Sequence, residues 1–252
     1  MGYMKKIINK EGSKDLIALK EIVKAWSSEY LKSELRSLDE LHNHIDAKKI
    51  NDFRLYLFNQ INTNFDWRSA VLNLAGDELR SIIGPDISAQ KKINFSIILP
   101  NDGTSQLGMH SDSWSAESPF QVNLWMPITD TFGSNSMYLL DEKRTLEVTQ
   151  SICNESFYPI PDNLFDENDF LDMKFGEILI FNPCLLHGNV INRTDKTRIA
   201  LHLRFKNIYA PEIHDFPDRT TGIFYEPLEI SENSKFALDY IKSAKGKAIA
   251  RK

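Results

Sequence analysis

FGEILIFNPCLLHGNVINRTDKTRIALHLRF, residues 175–205, is the stretch on which the fold turns. It opens on Phe175-Gly176, runs through the apolar segment Ile178–Phe181 and turns at Asn182-Pro183. A short apolar run then reaches His187, and the polar stretch Asn192–Lys196 precedes a strictly alternating segment from Arg198 to Phe205. Short apolar runs bounded by turn residues, and apolar/polar alternation, are the signatures of β-strands. Strands are therefore expected at 175–181, 184–187 and 197–207. Side chains of a strand point alternately to its two faces. Ile199, Leu201, Leu203 and Phe205 would thus share one face, and Arg198, His202 and Arg204 the other.

The same alternation recurs upstream in Asn94-Phe95-Ser96-Ile97-Ile98 and Gln121-Val122-Asn123-Leu124-Trp125. Further strands are expected near 92–99, 105–111, 119–126, 136–140 and 144–149. Before Gly84-Pro85 the period is helical instead, with Leu16, Leu19, Ile22, Val23 and Trp26, then Phe53, Leu57 and Ile61, then Ala70, Leu72, Leu79 and Ile83. Many short strands with turns between them indicate a jelly roll. The expectation is one domain over 1–252, mainly β with flanking helices: a helical part over 1–84, a double-stranded β-helix (jelly-roll) core over 92–207, and a C-terminal extension over 208–252. Within these, Asn154–Asp169 reads as a loop and Ser234–Ala244 as a last helix.

Composition narrows the function. The chain is 42% apolar with a net charge of −5, enough to bury a core, and it has no long basic run, which speaks against nucleic acid as partner. Cys153 and Cys184 lie in no metal or disulfide spacing. The opening MGYMKKIINKEGSKDL lacks the apolar middle of a signal peptide, and no apolar run of membrane-spanning length occurs. A cytoplasmic protein without membrane partners is expected.

His110-Ser111-Asp112 places two ligand-type side chains two residues apart, which on an extended strand point the same way. His187 lies at the end of an apolar strand and its turn. Two imidazoles and one carboxylate on one face of an octahedral ion leave positions open for a bidentate 2-oxo acid and dioxygen, the arrangement of non-haem Fe(II) oxygenases. An HxD pair alone arises by chance, and a strand histidine is often only a hydrogen-bonded structural residue. The pattern gains weight from Arg198, 11 residues after His187. Its fork of donors suits a carboxylate, although a salt bridge to an acidic neighbour would also use it.

FGEILIFNPCLLHGNVINRTDKTRIALHLRF resembles the distal half of the phytanoyl-CoA dioxygenase family. GMHSDSWSAESPFQVNLWMPITDTFGSNSMYLL, residues 108–140, resembles that family's HxD strand and the strands after it. SPFQVNLWMP and NSMYLL are closer to a branch typified by streptomycin-biosynthesis-type oxygenases of antibiotic and surface-carbohydrate gene clusters. The resemblance covers roughly residues 92–207. It implies Fe(II) held by His110, Asp112 and His187, 2-oxoglutarate as co-substrate anchored by Arg198, dioxygen as oxidant, Trp125 as an aromatic wall, and Asn189 as a small polar co-substrate contact. The family commonly has an early lysine as a second contact; Asn94 or Gln106 would stand in for it here.

A small sugar-like, aminocyclitol or nucleotide-sugar substrate is the expectation, with Ser113, Gln121, Asn123, His202 and Arg204 as polar lining. His202 and Arg204 could equally pair with acidic neighbours. His42 and His44 read as solvent-exposed and His214 as structural. Two other classes remain open: a cupin-like isomerase or hydrolase using the same three ligands, which gives no reason for Arg198, and a non-catalytic sugar-binding jelly roll, which explains none of the ligands.

Overall fold

The computed structural model describes residues 5–115, 117–155, 164–212 and 217–243. Three helices form its N-terminal layer: α1 (Lys14–Leu31), α2 (Ile50–Asn64) and α3 (Trp67–Ile83). Each buries one stripe at helical spacing. In α1 the stripe is Leu16, Leu19, Val23 and Trp26; in α2 it is Ile50, Phe53, Leu57 and Ile61. The Asp66 side chain caps α3 by accepting from the Ser69 backbone N–H at 3.2 Å, and Gly84 ends it at φ 86°, a left-handed conformation that suits glycine.

A seven-stranded sheet packs on these helices. Its strands are β1 (Lys5–Asn9), β2 (Ile87–Gln90), β3 (Asn94–Ile98), β4 (Gln121–Pro127), β6 (Glu177–Phe181), β8 (Arg198–Asn207) and β9 (Tyr225–Glu229). The order is β1-β6-β4-β8-β2-β9, with β3 also paired to β8. β5 (Met137–Leu139) and β7 (His187–Asn189) make a second, two-stranded sheet. Helix α4 (Glu142–Glu155) follows β5, and α5 (Glu232–Lys242) follows β9.

The two faces of the large sheet have different jobs. Val122, Leu124 and Met126 of β4, Ile178 and Ile180 of β6, and Ile199, Leu201, Leu203 and Phe205 of β8 join the core shared with α1, α2 and α3. Burying each such side chain fully is worth about 1.5–3 kcal/mol relative to exposure. The opposite face supplies Trp125, Leu179, Phe181 and Ala200 to a second cluster with Met137 and Leu139 of β5. These two packed sheets with helices outside are the expected jelly-roll architecture. Arg198, His202 and Arg204 fall on the inner face, as the alternation requires.

Several local expectations need correction. Residues 105–111 form no strand: after the Asp102 turn, whose carboxylate accepts from the Thr104 N–H at 2.8 Å, the chain is irregular until His110 makes a single bridge. Residues 144–149 belong to α4, because Asp141 caps a helix by accepting from the Arg144 N–H at 2.8 Å, and Lys143 and Glu147 pair one turn apart. The strand expected at 184–187 is displaced to β7, since Asn182–Leu185 is a turn closed by a Leu185 N–H to Asn182 carbonyl bond of 3.1 Å. Strands β1, β2 and β9 were not foreseen; β1 lies in the segment read as helical and β9 in the one read as an extension. The helix expected at Ser234–Ala244 is α5, with Ala244 outside the described residues. Of the loop expected at Asn154–Asp169, residues 156–163 lie outside them, Asn154 and Glu155 instead end α4, and Glu167–Asp169 form a short 3₁₀ turn. No described helix is long and apolar enough to cross a membrane.

Candidate metal centre

His110 and His187 are opposite each other in an isolated antiparallel bridge, each backbone N–H donating to the other's carbonyl at 2.9 Å. That reciprocal pairing sets the two imidazoles side by side, with ring centroids 4.3 Å apart. Asp112 opens a short 3₁₀ turn, Asp112–Ser115, rather than continuing a strand. Its backbone N–H donates to the Pro183 carbonyl at 3.0 Å. Strand alternation is thus not what aligns the HxD pair; the turn at Pro183, which also leads into His187, brings them together.

Asp112 Oδ1 lies 3.6 Å from His110 Nε2 and 4.0 Å from His187 Nε2. One donor atom from each residue falls within 4.8 Å of the others, and no other described residue joins the group. The remaining donors are already engaged. His110 Nδ1 contacts the Gly108 carbonyl at 2.9 Å and His187 Nδ1 the Leu185 carbonyl at 2.8 Å. Those contacts place the proton on Nδ1 and leave both Nε2 lone pairs directed inward, as metal-binding histidines require. Asp112 Oδ2 accepts from Asn123 Nδ2 at 2.7 Å and Arg204 Nη2 at 3.2 Å, which leaves Oδ1 for an ion. The donor set fits a divalent transition metal.

Electrostatics agree. Burial acts to raise the Asp112 pKa, but the adjacent His110 ring and the Arg204 guanidinium outweigh it and hold the carboxyl well below the usual range. Burial, reinforced by His110, pushes His187 down to about 4. A carboxylate and a neutral imidazole are the ligating forms.

Beside the ligands is a cavity of about 180 Å³, far above the roughly 10–15 Å³ one water needs. Arg198 forms its deep wall at 2% exposure. Nη2 donates to Ser96 Oγ at 2.7 Å, while Nε and Nη1 have no hydrogen-bond partner. The Trp125 ring centroid lies 5.6 Å from the guanidinium carbon, a cation–π contact. Burial pushes Arg198 down to about 9. A buried guanidinium with no carboxylate among the described residues against it is costly, and an anionic ligand would offset that cost.

The cavity brings together His110, Asp112, His187, Arg198, Trp125, Asn189, His202 and Arg204. Asn189 also clamps the approach to His110: its Oδ1 accepts from the Leu107 N–H and its Nδ2 donates to the Ser105 carbonyl at 3.4 Å. Arg54 of α2 holds the same loop through Ser105 Oγ at 2.9 Å. Other expected residues sit elsewhere. Gln106 is exposed on the loop, and Ser113 bonds Ser111 at 2.6 Å; neither lines the cavity. Asn94 pairs opposite His202 in register without lining it, and Ser96, two residues on, takes the position against Arg198.

Gln121 and Asn123 are buried behind the site. Gln121 Oε1 lies 2.7 Å from the Tyr225 hydroxyl, and Asn123 holds Asp112. Arg204 does pair with acidic neighbours, Asp112 and Glu117, the latter at 3.4 Å. Glu117, 1% exposed, also accepts from Tyr225 at 2.6 Å and pairs with Arg219 at 3.2 Å. This network ties β9 to the Asp112 carboxylate. Sequence reading missed Ser96, Glu117 and Tyr225; only Ser96 carried a signal, by sharing a strand face with Asn94. His42 Nδ1 bonds Thr197 Oγ1 at 3.0 Å rather than facing solvent alone, His44 is exposed, and His214 lies outside the described residues.

Solved structures with this topology include a nickel complex of the non-haem monooxygenase ThoJ, at 15% identity and a TM-score of 0.52, covering 99% of this chain and 94% of that one. The chain shares the fold of that non-haem monooxygenase. EctD from S. alaskensis in its apo form matches with 11% identity and a TM-score of 0.51 over 90% of this chain and 82% of its own. A second EctD structure, with 2-oxoglutarate and 5-hydroxyectoine, matches with 14% identity and a TM-score of 0.50 over 83% and 74%. Among curated proteins, the streptomycin biosynthesis protein StrG of Streptomyces griseus is 23% identical over 169 residues. That alignment spans 66% of each chain, just under two thirds. No family model matches the chain.

Proposed function

We propose that this chain is an Fe(II)- and 2-oxoglutarate-dependent dioxygenase that oxidises, by hydroxylation, a small polar metabolite of the sugar or aminocyclitol class. The observation that carries the co-substrate is Arg198, a buried guanidinium with two unpartnered N–H groups beside a two-histidine, one-carboxylate donor set. A metalloenzyme without an anionic co-substrate leaves that charge unexplained. Support also comes from the fold shared with an EctD structure containing 2-oxoglutarate, and the substrate class rests on the likeness to StrG.

In this reading His110 Nε2, His187 Nε2 and Asp112 Oδ1 hold the ion, and Arg198 pairs with the distal carboxylate of the 2-oxo acid. A ferrous ion so held supplies the redox chemistry that couples oxidative decarboxylation of the 2-oxo acid to oxidation of a substrate C–H bond. The protein's share is binding and exclusion. Asn123 and Arg204 fix the Asp112 carboxylate, Trp125 and Phe181 keep the cavity wall apolar, and Asp112 fills the position a halide would need, which disfavours halogenation.

The test is anaerobic reconstitution with Fe(II) and 2-oxoglutarate, followed by a screen of nucleotide sugars and aminocyclitols for succinate release. One ion per chain, a weak visible charge-transfer band, and succinate matched by product one oxygen heavier support the reading. Metal binding with no response to 2-oxoglutarate refutes it.

A further inference from the structure

One polar atom in the cavity is used neither by the metal ligands nor by Arg198. His202 lines the cavity, and its Nε2 is shielded from solvent and makes no hydrogen bond. Buried polar atoms of structural histidines are ordinarily hydrogen-bonded, so an orphaned ring nitrogen on a residue that lines a cavity points to a ligand. His202 is not a metal ligand: among the described residues the donor group closes on His110, Asp112 and His187.

Register locates it. His202 lies opposite Trp125 of β4 and Asn94 of β3. On the inner face of β8 it falls between Arg198 and Arg204, and Arg204 holds Asp112 Oδ2 at 3.2 Å. Along one strand face, therefore, come the guanidinium without an anion, the imidazole without a partner, and the group that fixes the metal carboxylate. A ligand spanning from Arg198 to the ligand set passes His202 near its metal-binding end.

We propose that His202 is a second anchor for the 2-oxo acid, donating a hydrogen bond from its ring to the carboxylate at the metal-binding end while Arg198 holds the distal one. The inference rests on the dioxygenase reading above. A neutral imidazole offers one N–H, and a carboxylate oxygen accepts it as a charge-assisted bond.

The experiment titrates 2-oxoglutarate into anaerobic, Fe(II)-loaded full-length protein and reads the visible charge-transfer band, for the parent, His202→Phe and His202→Gln. His202→Phe keeps a ring and loses both nitrogens; it should weaken 2-oxoglutarate binding about ten- to a hundredfold, as loss of a hydrogen bond to a charged group does, and move the band. His202→Gln restores a donor and should recover part of the affinity. Fe(II) affinity should be unchanged in both. If His202→Phe does not fold, His202→Leu takes its place with the same expectation. Unchanged 2-oxoglutarate affinity and band position in a folded variant overturn the proposal, and a histidine that touches only the oxidised substrate would give that result. A parent protein that binds Fe(II) but not 2-oxoglutarate brings down the co-substrate reading itself, and this inference with it.

Discussion

His110 and His187 are joined by two backbone hydrogen bonds of 2.9 Å, N–H to carbonyl in both directions, and no named strand continues the ladder on the His110 side. The two imidazoles are thus placed by one pair of bonds and by the loops on either side. Truncating either ring removes a ligand while leaving the backbone pair in place. His110→Ala and His187→Ala should each lose more metal affinity than the roughly 10- to 100-fold typical of removing an outer partner, with little change in thermal unfolding of the metal-free protein. Metal titration by calorimetry checks this, and undiminished binding in the double variant would mean the centre is misplaced.

Arg198 should separate stability from binding. Arg198→Lys cannot make two parallel hydrogen bonds to a carboxylate, and loss of a charged pair screened from water costs about 2–5 kcal/mol, roughly 30-fold to several thousandfold in 2-oxoglutarate affinity. Without ligand the same guanidinium is an uncompensated buried charge. Arg198→Met should therefore unfold at an equal or higher temperature than the parent when both lack ligand, and fail to bind 2-oxoglutarate. A large loss of thermal stability in Arg198→Met would show that the arginine is structural.

Gly188 follows His187 in β7 and lies opposite Tyr138 of β5. A β-carbon there would lie 2.7 Å from Tyr138 Cζ and 2.9 Å from the Leu107 carbonyl oxygen, closer than atoms pack. Gly188→Ala should destabilise the protein by about 1–3 kcal/mol, seen as a lower urea midpoint. It should also weaken metal binding, because relief of the clash displaces His187 or the loop before His110.

Glu212 gives a pH signature away from the metal. Burial acts to raise its pKa, but the Thr221 N–H at 2.7 Å and Lys206 Nζ at 2.9 Å pull it down to about 2 from 4.5. A carboxyl depressed on folding contributes stability in full above pH 4.5 and loses it progressively as pH falls towards about 2. The difference in urea midpoint between the parent and Glu212→Gln should accordingly be widest above pH 5 and narrow by pH 3. A difference that does not change with pH would contradict the assignment.

What could be read from sequence was whatever short-range periodicity encodes. The faces of β8 and β4 followed from alternation, so the inward placement of Arg198, His202, Arg204, Asn123 and Trp125 was legible, as were the buried stripes of α1 and α2. Pairings across distant sequence were not. Nothing local announces that Tyr225 bonds Glu117, or that β1 joins β6, because those contacts are selected by packing of the whole chain. Period-2 reading also failed at 144–149, where the Asp141 cap turned an ambiguous polar segment into a helix, and at 105–111, which follow the Asp102 turn as irregular chain.

The pairing of Lys5–Asn9 with Glu177–Phe181 bears on self-association. Ile178–Phe181 is wholly apolar and β4 occupies its other side, so β1 covers what would otherwise be an open, sticky edge. The strand that replaces it as the edge presents Lys5 and Lys6, and charged residues on an edge discourage strand addition by another molecule. Proteolytic trimming up to Lys10 would remove those lysines and lay bare a short β-prone template. Light scattering of the trimmed protein should then rise with concentration while the full chain stays monodisperse, which makes Lys5–Asn9 a guard against aggregation.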